Sequence, residues 1–168
     1  MKKYILRKRI QQLLKTQRQQ ADFIDYAQIK TVQLLYQSSD QESVLKYKKE
    51  LESEGKSVQL IELSEVAPKE DSKDRIVVSP KSFSFMGELD NDLRKTIGAS
   101  EVDLLIDLIP YFRYREIAVV LLSKAVFKVG IHKESYPIYD FDLLLSEKID
   151  VDALIDKIKF YIRIIKAK

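Results

Sequence analysis

The sequence predicts an α/β fold: a three-layer sandwich with a mostly parallel sheet of five or six strands and an extra N-terminal amphipathic helix. Three observations support this prediction. Short hydrophobic segments alternate with amphipathic ones along most of the 168 residues. Roughly twenty residues, mostly of helical pattern, separate the first two hydrophobic segments, as a parallel crossover requires. Residues 102–109 are apolar on both faces except for two Asp, which is typical of a central parallel strand.

The N-terminal segment, residues 3–20, has the pattern of an amphipathic helix. Its apolar residues fall at i, i+4, i+7 and i+8 and share one stripe: Leu6, Ile10, Leu13 and Leu14. A polar connection follows at 21–30. We therefore divide the chain into a basic amphipathic helix at 1–20, that connection, and an α/β domain at 31–168.

The α/β domain begins with a strand–helix–strand unit, whose strands lie at 31–36 and 58–63. Ser39 or Asp40 is a suitable N-cap for the helix, and Gly55 is suited to end it. The remaining elements are strands at 75–79, 102–109, 126–130 and 141–145, with helices at 90–97, 113–125 and 151–166.

The order of these elements predicts the strand order 3-2-1-4-5-6, a Rossmann-like arrangement with a switch point between the first and fourth strands. The connection at 131–140 has ten residues and no helical pattern. That length is marginal for a parallel crossover, so the last strand could instead run antiparallel at the sheet edge.

The composition excludes several kinds of site. The chain has no Cys and one His, which excludes disulfides, thiol nucleophiles, Cys-based metal centres and multi-histidine sites. Its four Gly residues form neither a dinucleotide-binding fingerprint nor a P-loop. No segment approaches the ~20 apolar residues that cross a bilayer, and no uninterrupted apolar run follows the charged N-terminus. We expect no metal, no cofactor and a cytoplasmic location.

Three further residues have side chains that could take part in catalysis or binding. Asp107 resembles the phosphoacceptor of a receiver domain, but the first strand is not followed by the acidic pair that such a site needs. His132 follows the fifth strand, and no nucleophile or substrate group is evident near it. Asp103 is expected to bond a backbone group or a Lys at the sheet margin. We predict no catalytic residue, and an interaction protein more than an enzyme.

Positive charge is concentrated at both ends of the chain. Residues 1–20 carry seven basic side chains and residues 157–168 carry five, and neither segment contains an acid. All 26 acids therefore lie in residues 21–156, whose net charge is −9. Such asymmetry favours attraction of polyanions to the ends of the chain, although solvated helix faces are the simpler explanation.

The final helix has a second apolar face, formed by Ala153, Phe160 and Ile164. The apolar stripe of the N-terminal helix also needs a surface on which it can be buried. We expect the two terminal helices to pack together and to join both basic segments in one surface of charge +12. A homodimer through either stripe is the alternative. This surface predicts a non-catalytic module that binds RNA, a ribosome or an acidic protein. The candidate residues are Lys2, Lys3, Arg7, Lys8, Lys15, Arg18, Lys159 and Arg163.

A second hypothesis places a small-ligand site at the carboxyl ends of the first and fourth strands. Ser38 and Ser39 would offer hydroxyls and helix amides to an anion or sugar nucleotide, and Arg113 and Arg115 would add guanidinium groups. The alternative is that the serines cap a helix and the arginines are solvated. A third hypothesis is attachment of the basic N-terminal helix to an anionic membrane surface.

Two resemblances arise at these residues. Segments 2–9, 83–87, 102–108 and 124–130 resemble an uncharacterised family of small bacterial proteins, a domain of unknown function, which implies no activity. Residues 103–107 and 123–130 are similar to the N-terminal domain of heptosyltransferase-type glycosyltransferases. That resemblance implies a Rossmann-like fold but not glycosyl transfer, because those enzymes need a second nucleotide-sugar-binding domain for which 168 residues leave no room.

Overall fold

The computed structural model describes residues 2–16, 21–69, 73–99, 101–134 and 136–166. These residues form an α/β sandwich, as the sequence predicts.

One sheet of six strands lies at the centre, in the order β3-β2-β1-β4-β5-β6. The strands are β1 (Thr31–Gln37), β2 (Ser57–Leu63), β3 (Arg75–Val78), β4 (Leu104–Asp107), β5 (Phe127–Ile131) and β6 (Phe141–Leu143). Every neighbouring pair is parallel. The predicted fold class and strand order are confirmed, with the switch point between β1 and β4.

The expectation that the last strand could run antiparallel is wrong. β6 pairs with β5 in parallel, with Phe141 beside Val129. The described residues of the short connection between them form no helix, and Ile138 among them is buried in one of the two cores. An irregular segment that packs its own side chain on the sheet thus makes the crossover that a helix usually makes.

Among the residues that the structure describes, five α-helices flank the sheet. They are α1 (Lys2–Lys15), α2 (Gln41–Ser53), α3 (Asn91–Ile97), α4 (Tyr114–Leu122) and α5 (Val151–Ile164). Aspartates begin two of them: Asp90 accepts the amides of Asp92 and Leu93, and Asp150 accepts the amide of Ala153. The predicted N-terminal helix ends at Lys15 with a turn at Thr16, and residues 17–20 lie outside the described residues.

Two cores lie on opposite faces of the sheet, because successive strand residues point to opposite sides. Leu34 and Leu104 pack in the core that α2 and α5 cover. Leu35 and Leu105 pack in the core that α3 and α4 cover.

The prediction that the two terminal helices pack together is wrong. α1 packs on α4, and its Ile10 is completely buried in the α3–α4 core, on the face of the sheet opposite α5. The physical reason lies in α4, whose residues 117–120 are all buried and which therefore needs a cover on its outer side. On α5, Phe160 and Ile164 remain 61% and 57% exposed.

Candidate functional site

The carboxyl ends of the central strands open onto a cleft of about 470 Å³, the switch-point cleft. It lies between the residues that precede α2 and those that precede α5. The lining includes Gln37, Ser39, Asp40, Pro110, Tyr111, Lys148 and Asp150. Its charged groups are thus two carboxylates and one ammonium group, and burial raises the pKa of Asp40, with a smaller contribution from the charge of Asp152. This lining does not favour an anion.

The predicted small-anion residues lie close to this cleft, where acids of the chain itself engage them. Ser38 Oγ donates to Glu62 Oε1 at 2.6 Å, and the Ser39 side chain is exposed. Arg113 Nη1 and Arg115 Nη2 both donate to Glu65 Oε1, at 2.6 and 2.7 Å. The two predicted guanidinium groups are therefore brought together with a carboxylate between them.

Glu65 is held firmly in its charged form. Burial opposes this, but the hydrogen bonds and charges of Arg115 and Arg113 outweigh it and lower the pKa of Glu65. Arg113 Nη2 also donates to Gln37 Oε1 at 3.0 Å, which connects the pair to the end of β1. An incoming anion would have to displace Glu65 to reach the two guanidinium groups.

Four polar side chains form a buried cluster beneath the ends of β4 and β5: Asp107, Glu116, Lys133 and Tyr139. Lys133 Nζ lies 2.9 Å from Glu116 Oε1. Tyr139 Oη donates to Asp107 Oδ2 at 2.5 Å and to Glu116 Oε1 at 3.3 Å. Each member of the buried cluster has a partner within it, so these groups satisfy one another away from water.

Gly130 makes room for this arrangement. A Cβ atom at Gly130 would lie 2.4 Å from the ring of Tyr139. The absence of a side chain in β5 therefore allows the Tyr139 ring to lie against the strand and to direct its hydroxyl between the two carboxyl groups.

The buried cluster favours one bound proton on its carboxyl groups. Burial, and then the charge of Asp107, raises the pKa of Glu116 well above its ordinary value, although Lys133 opposes this shift. Burial thus favours the neutral form of Glu116 in the folded protein. Burial and the two acids likewise raise the pKa of Tyr139, which keeps its hydroxyl proton as a donor.

The same cluster holds the segment 108–113, the Pro110 loop. Lys133 Nζ donates to the carbonyls of Ile109 and Tyr111, at 2.7 and 3.2 Å. Asp107 Oδ1 accepts the amide of Ile109 at 2.9 Å, and Glu116 Oε2 accepts the amide of Arg113 at 3.1 Å. Buried polar groups thus fix a loop in which Tyr111 and Phe112 are exposed.

The Pro110 loop presents Phe112 to a second cleft of about 490 Å³, the aromatic cleft. The Phe112 ring is stacked on Tyr136, with centroids 5.2 Å apart and planes at 27°. It also meets Tyr114 edge to face at 4.9 Å. Charged and polar groups complete the lining: Arg7, His132, Lys133 and Glu134. His132 Nδ1 is 2.6 Å from Asp142 Oδ2, so an acid already engages it.

Arg7 belongs to the exposed side of α1, where the basic side chains Lys3, Arg7, Lys8 and Lys15 form the α1 basic face. These residues fall within a sector of about 140° at helical spacing. Within the described ranges none of the four has an acidic partner. The Lys8 ammonium lies 4.8 Å from the Tyr4 ring centroid. Lys2 and Arg18 were predicted to join them; the Lys2 side chain and Arg18 lie outside what the structure describes.

The predicted polyanion-binding residues of α5 are ion-paired. Lys159 Nζ lies 2.6 Å from Glu50 Oε1, and Arg163 Nη2 lies 2.6 Å from Glu54 Oε1. Acids of α2 thus neutralise these two cations, on the sheet face opposite α1. The combined +12 surface therefore does not form.

Sequence reasoning missed Glu116, Lys133 and Tyr139. One signal was available, because Glu116 stands beside four apolar residues of a helix that is buried all round, and a buried acid needs a partner. For Asp103 the expectation is confirmed: it accepts the amides of Lys30 and Thr31 at 2.7 and 2.9 Å, which lowers its pKa although burial opposes the shift.

Neither a metal centre nor a membrane span is found in the part of the chain that the structure describes. Its His, Asp and Glu side chains include no group of three or more that could hold a metal ion. None of its helices has the length and apolar character needed to cross a membrane.

Comparison with known proteins gives one match. Residues 2–165 match the model of a family of unknown function, DUF6913. No curated protein and no solved structure matches the chain. The resemblance to a domain of unknown function is thus confirmed, whereas the similarity to heptosyltransferase-type enzymes is not.

Proposed function

Because the chain belongs to DUF6913, a family of unknown function, we propose its function from its own surface: it binds RNA through the α1 basic face. One observation carries this proposal. Lys3, Arg7, Lys8 and Lys15 are exposed on a single helix, and none has an acidic partner among the described residues. Unpaired cations gathered on one surface are the electrostatic footprint of a polyanion site.

The α1 basic face is a fixed surface, because α1 is anchored along the stripe beside it. Ile10 is completely buried against the α3–α4 core, and Arg9 pairs with Glu88 at 3.2 Å. Lys3 and Lys15 are twelve residues apart, a distance of about 18 Å along a helix. That length gives room for contacts with several phosphates of one strand.

Other basic residues contribute less to the proposed site. Lys159 and Arg163 are paired with Glu50 and Glu54, and residues 21–156 carry a net charge of −9. An RNA would therefore approach the α1 side of the sheet. We place this activity in the cytoplasm, the location that the composition predicts.

The test compares RNA binding by two variants with equal charge. The first replaces Lys3, Arg7, Lys8 and Lys15 with Gln. The matched control replaces four other exposed lysines with Gln. Two lie in α2, one in α5 and one just after α5: Lys46, Lys49, Lys157 and Lys166. Binding of a labelled single-stranded RNA of about 12 nucleotides is followed by fluorescence anisotropy at about 100 mM salt.

We expect the α1 variant to lose at least tenfold in affinity and the control to lose less than threefold, since each phosphate contact adds to the electrostatic free energy. Equal losses in both variants would mean that only net charge matters, and would overturn the proposal. So would binding of polyglutamate as tight as that of RNA, which would point to an acidic protein partner.

A membrane surface is a second candidate, favoured by the turn 84–87. Phe85 and Met86 occupy its tip and are 62% and 65% exposed. The turn closes through a 3.0 Å bond from the Gly87 amide to the Ser84 carbonyl, and Gly87 has a φ of 76°. A Cβ at Gly87 would lie 3.2 Å from the Leu6 side chain, so this apolar tip sits beside α1. Apolar tips beside basic helices suit anionic lipid surfaces.

Sedimentation with phosphatidylserine vesicles tests this candidate. Replacing Phe85 and Met86 with Ser should lower the vesicle-bound fraction, whereas replacing Phe160 of α5 with Ser should not. If the wild-type protein stays in the supernatant at low salt, the membrane candidate is rejected.

A further inference from the structure

We infer that the aromatic cleft holds one unpaired nucleobase of the bound strand, stacked on Phe112, with the adjoining phosphate beside Arg7. This inference rests on the proposed function and adds a ligand class to it: single-stranded rather than double-stranded RNA. The observation behind it is a cleft that contains an exposed ring, a buried support for that ring, and a cation, Arg7, that has no acidic partner among the described residues.

Phe112 has the exposure that stacking requires. Its side chain is 44% exposed although it contacts Tyr136 and Tyr114. An exposed ring packed against two others is a rigid platform, and every nucleobase has a π-face that such a platform accepts. The cleft volume of about 490 Å³ is within the range of small-ligand sites.

The buried cluster keeps that platform in place. Lys133 holds the carbonyls on both sides of Pro110, and Glu116 holds the amide of Arg113. Phe112 lies between these anchored groups, so its backbone is fixed before any ligand arrives. A preorganised side chain loses little conformational entropy on binding, which favours affinity.

The charges around the cleft give the ligand an orientation. Arg7 is shared by the aromatic cleft and the α1 basic face, so one strand reaches both. His132 is engaged by Asp142, and Lys133 by Glu116. Glu134 is an exposed acid of the lining that repels phosphate. We therefore place the phosphate on the Arg7 side and the base over the ring.

Selectivity follows from this geometry. A base within a duplex has both faces covered by its neighbours, whereas an unpaired base is free to stack on a side chain. Attraction between basic side chains and phosphates does not depend on whether the faces of a base are accessible. The aromatic cleft therefore predicts tighter binding of a single strand than of a duplex of equal length.

The experiment uses the full chain and an RNA of about 12 nucleotides that carries one 2-aminopurine, whose fluorescence changes when the base exchanges its stacking partners. The test variant is Phe112→Leu, which keeps an apolar side chain but removes the ring. The matched control is Phe160→Leu, because Phe160 is an exposed aromatic on α5, on the opposite face of the sheet. Thermal melting of both variants checks that the fold is intact.

We expect Phe112→Leu to weaken single-strand binding roughly tenfold, to abolish the change in 2-aminopurine fluorescence that binding causes, and to leave duplex binding unchanged. The Phe160→Leu control should match the wild type. A fluorescence change that persists in Phe112→Leu overturns the inference but leaves RNA binding through α1 standing. Tight binding of the free 2-aminopurine ribonucleoside monophosphate, with an equal fluorescence change, would assign the cleft to nucleotides and also overturn it. If the wild-type protein does not bind RNA at all, the proposed function is wrong, and this result differs from each of those above.

Discussion

The Nζ atom of Lys133 lies 2.9 Å from Oε1 of Glu116, and only 2% and 0% of these two side chains are exposed. This buried pair joins the end of β5 to the start of α4. Because Lys133 also binds two carbonyls of the Pro110 loop, the pair connects the core to the surface of the aromatic cleft.

Lys133→Met should destabilise the protein strongly. The substitution leaves Asp107 and Glu116 buried without a cation, and breaking a buried ion pair in this way costs about 3–5 kcal/mol. Glu116→Gln should cost only about 1 kcal/mol, because Gln resembles the protonated form that burial favours. Urea denaturation measures both free energies of unfolding. A larger loss for Glu116→Gln than for Lys133→Met would contradict this account of the cluster.

The stability of the wild type should carry a pH dependence that Glu116→Gln lacks. The pKa of Glu116 is raised on folding above its ordinary value of 4.5, so the folded state binds more protons than the unfolded state. The resulting stabilisation is complete below that value and is lost as pH rises through the folded pKa. The free energy of unfolding of Glu116→Gln, relative to the wild type, should therefore increase as the pH rises above about 4.5. A constant difference would argue against a retained proton.

Gly130→Ala should destabilise the fold by about 1–3 kcal/mol, because the new methyl group overlaps the Tyr139 ring. In a Tyr139→Leu background the same substitution should cost less, since the ring is gone. A double-mutant cycle measured by urea denaturation gives the coupling between the two positions. Additive effects would show that Gly130 serves some purpose other than making room for Tyr139.

The Arg113–Arg115 pair offers a test of the small-anion hypothesis. Glu65→Gln removes the carboxylate that both guanidinium groups bind, so the variant should gain thermal stability in millimolar phosphate where the wild type does not. Glu101→Gln, which neutralises an exposed acid elsewhere, is the control. If phosphate stabilises all three proteins equally, the pair is not an anion site.

The strand order followed from local patterns. The hydrophobic strands and the helices between them, which together predict the switch point between the first and fourth strands, are visible in short stretches of sequence. The position of α1 was predicted wrongly because both α4 and α5 have an apolar surface on which the apolar stripe of α1 could pack. The all-round apolar character of residues 117–120 would have favoured α4.

The site was harder to predict, since its partners are distant in sequence. Asp107 and Tyr139 are 32 residues apart, and Lys159 and Glu50 are 109 apart. The sequence alone did not reveal that Lys159 and Arg163 of α5 are paired with acids, whereas the α1 basic face has no acidic partner among the described residues. Which charged side chains become neighbours is determined by the tertiary structure, which local sequence patterns do not show.

The most direct test of the central claim is the salt dependence of RNA affinity. For four phosphate contacts, the logarithm of the association constant should fall against the logarithm of salt concentration with a slope of about −3. The variant with Gln at Lys3, Arg7, Lys8 and Lys15 should have a slope near zero, while the variant altered at the α2 and α5 lysines keeps that of the wild type. An unchanged slope in the α1 variant would contradict RNA binding through this face.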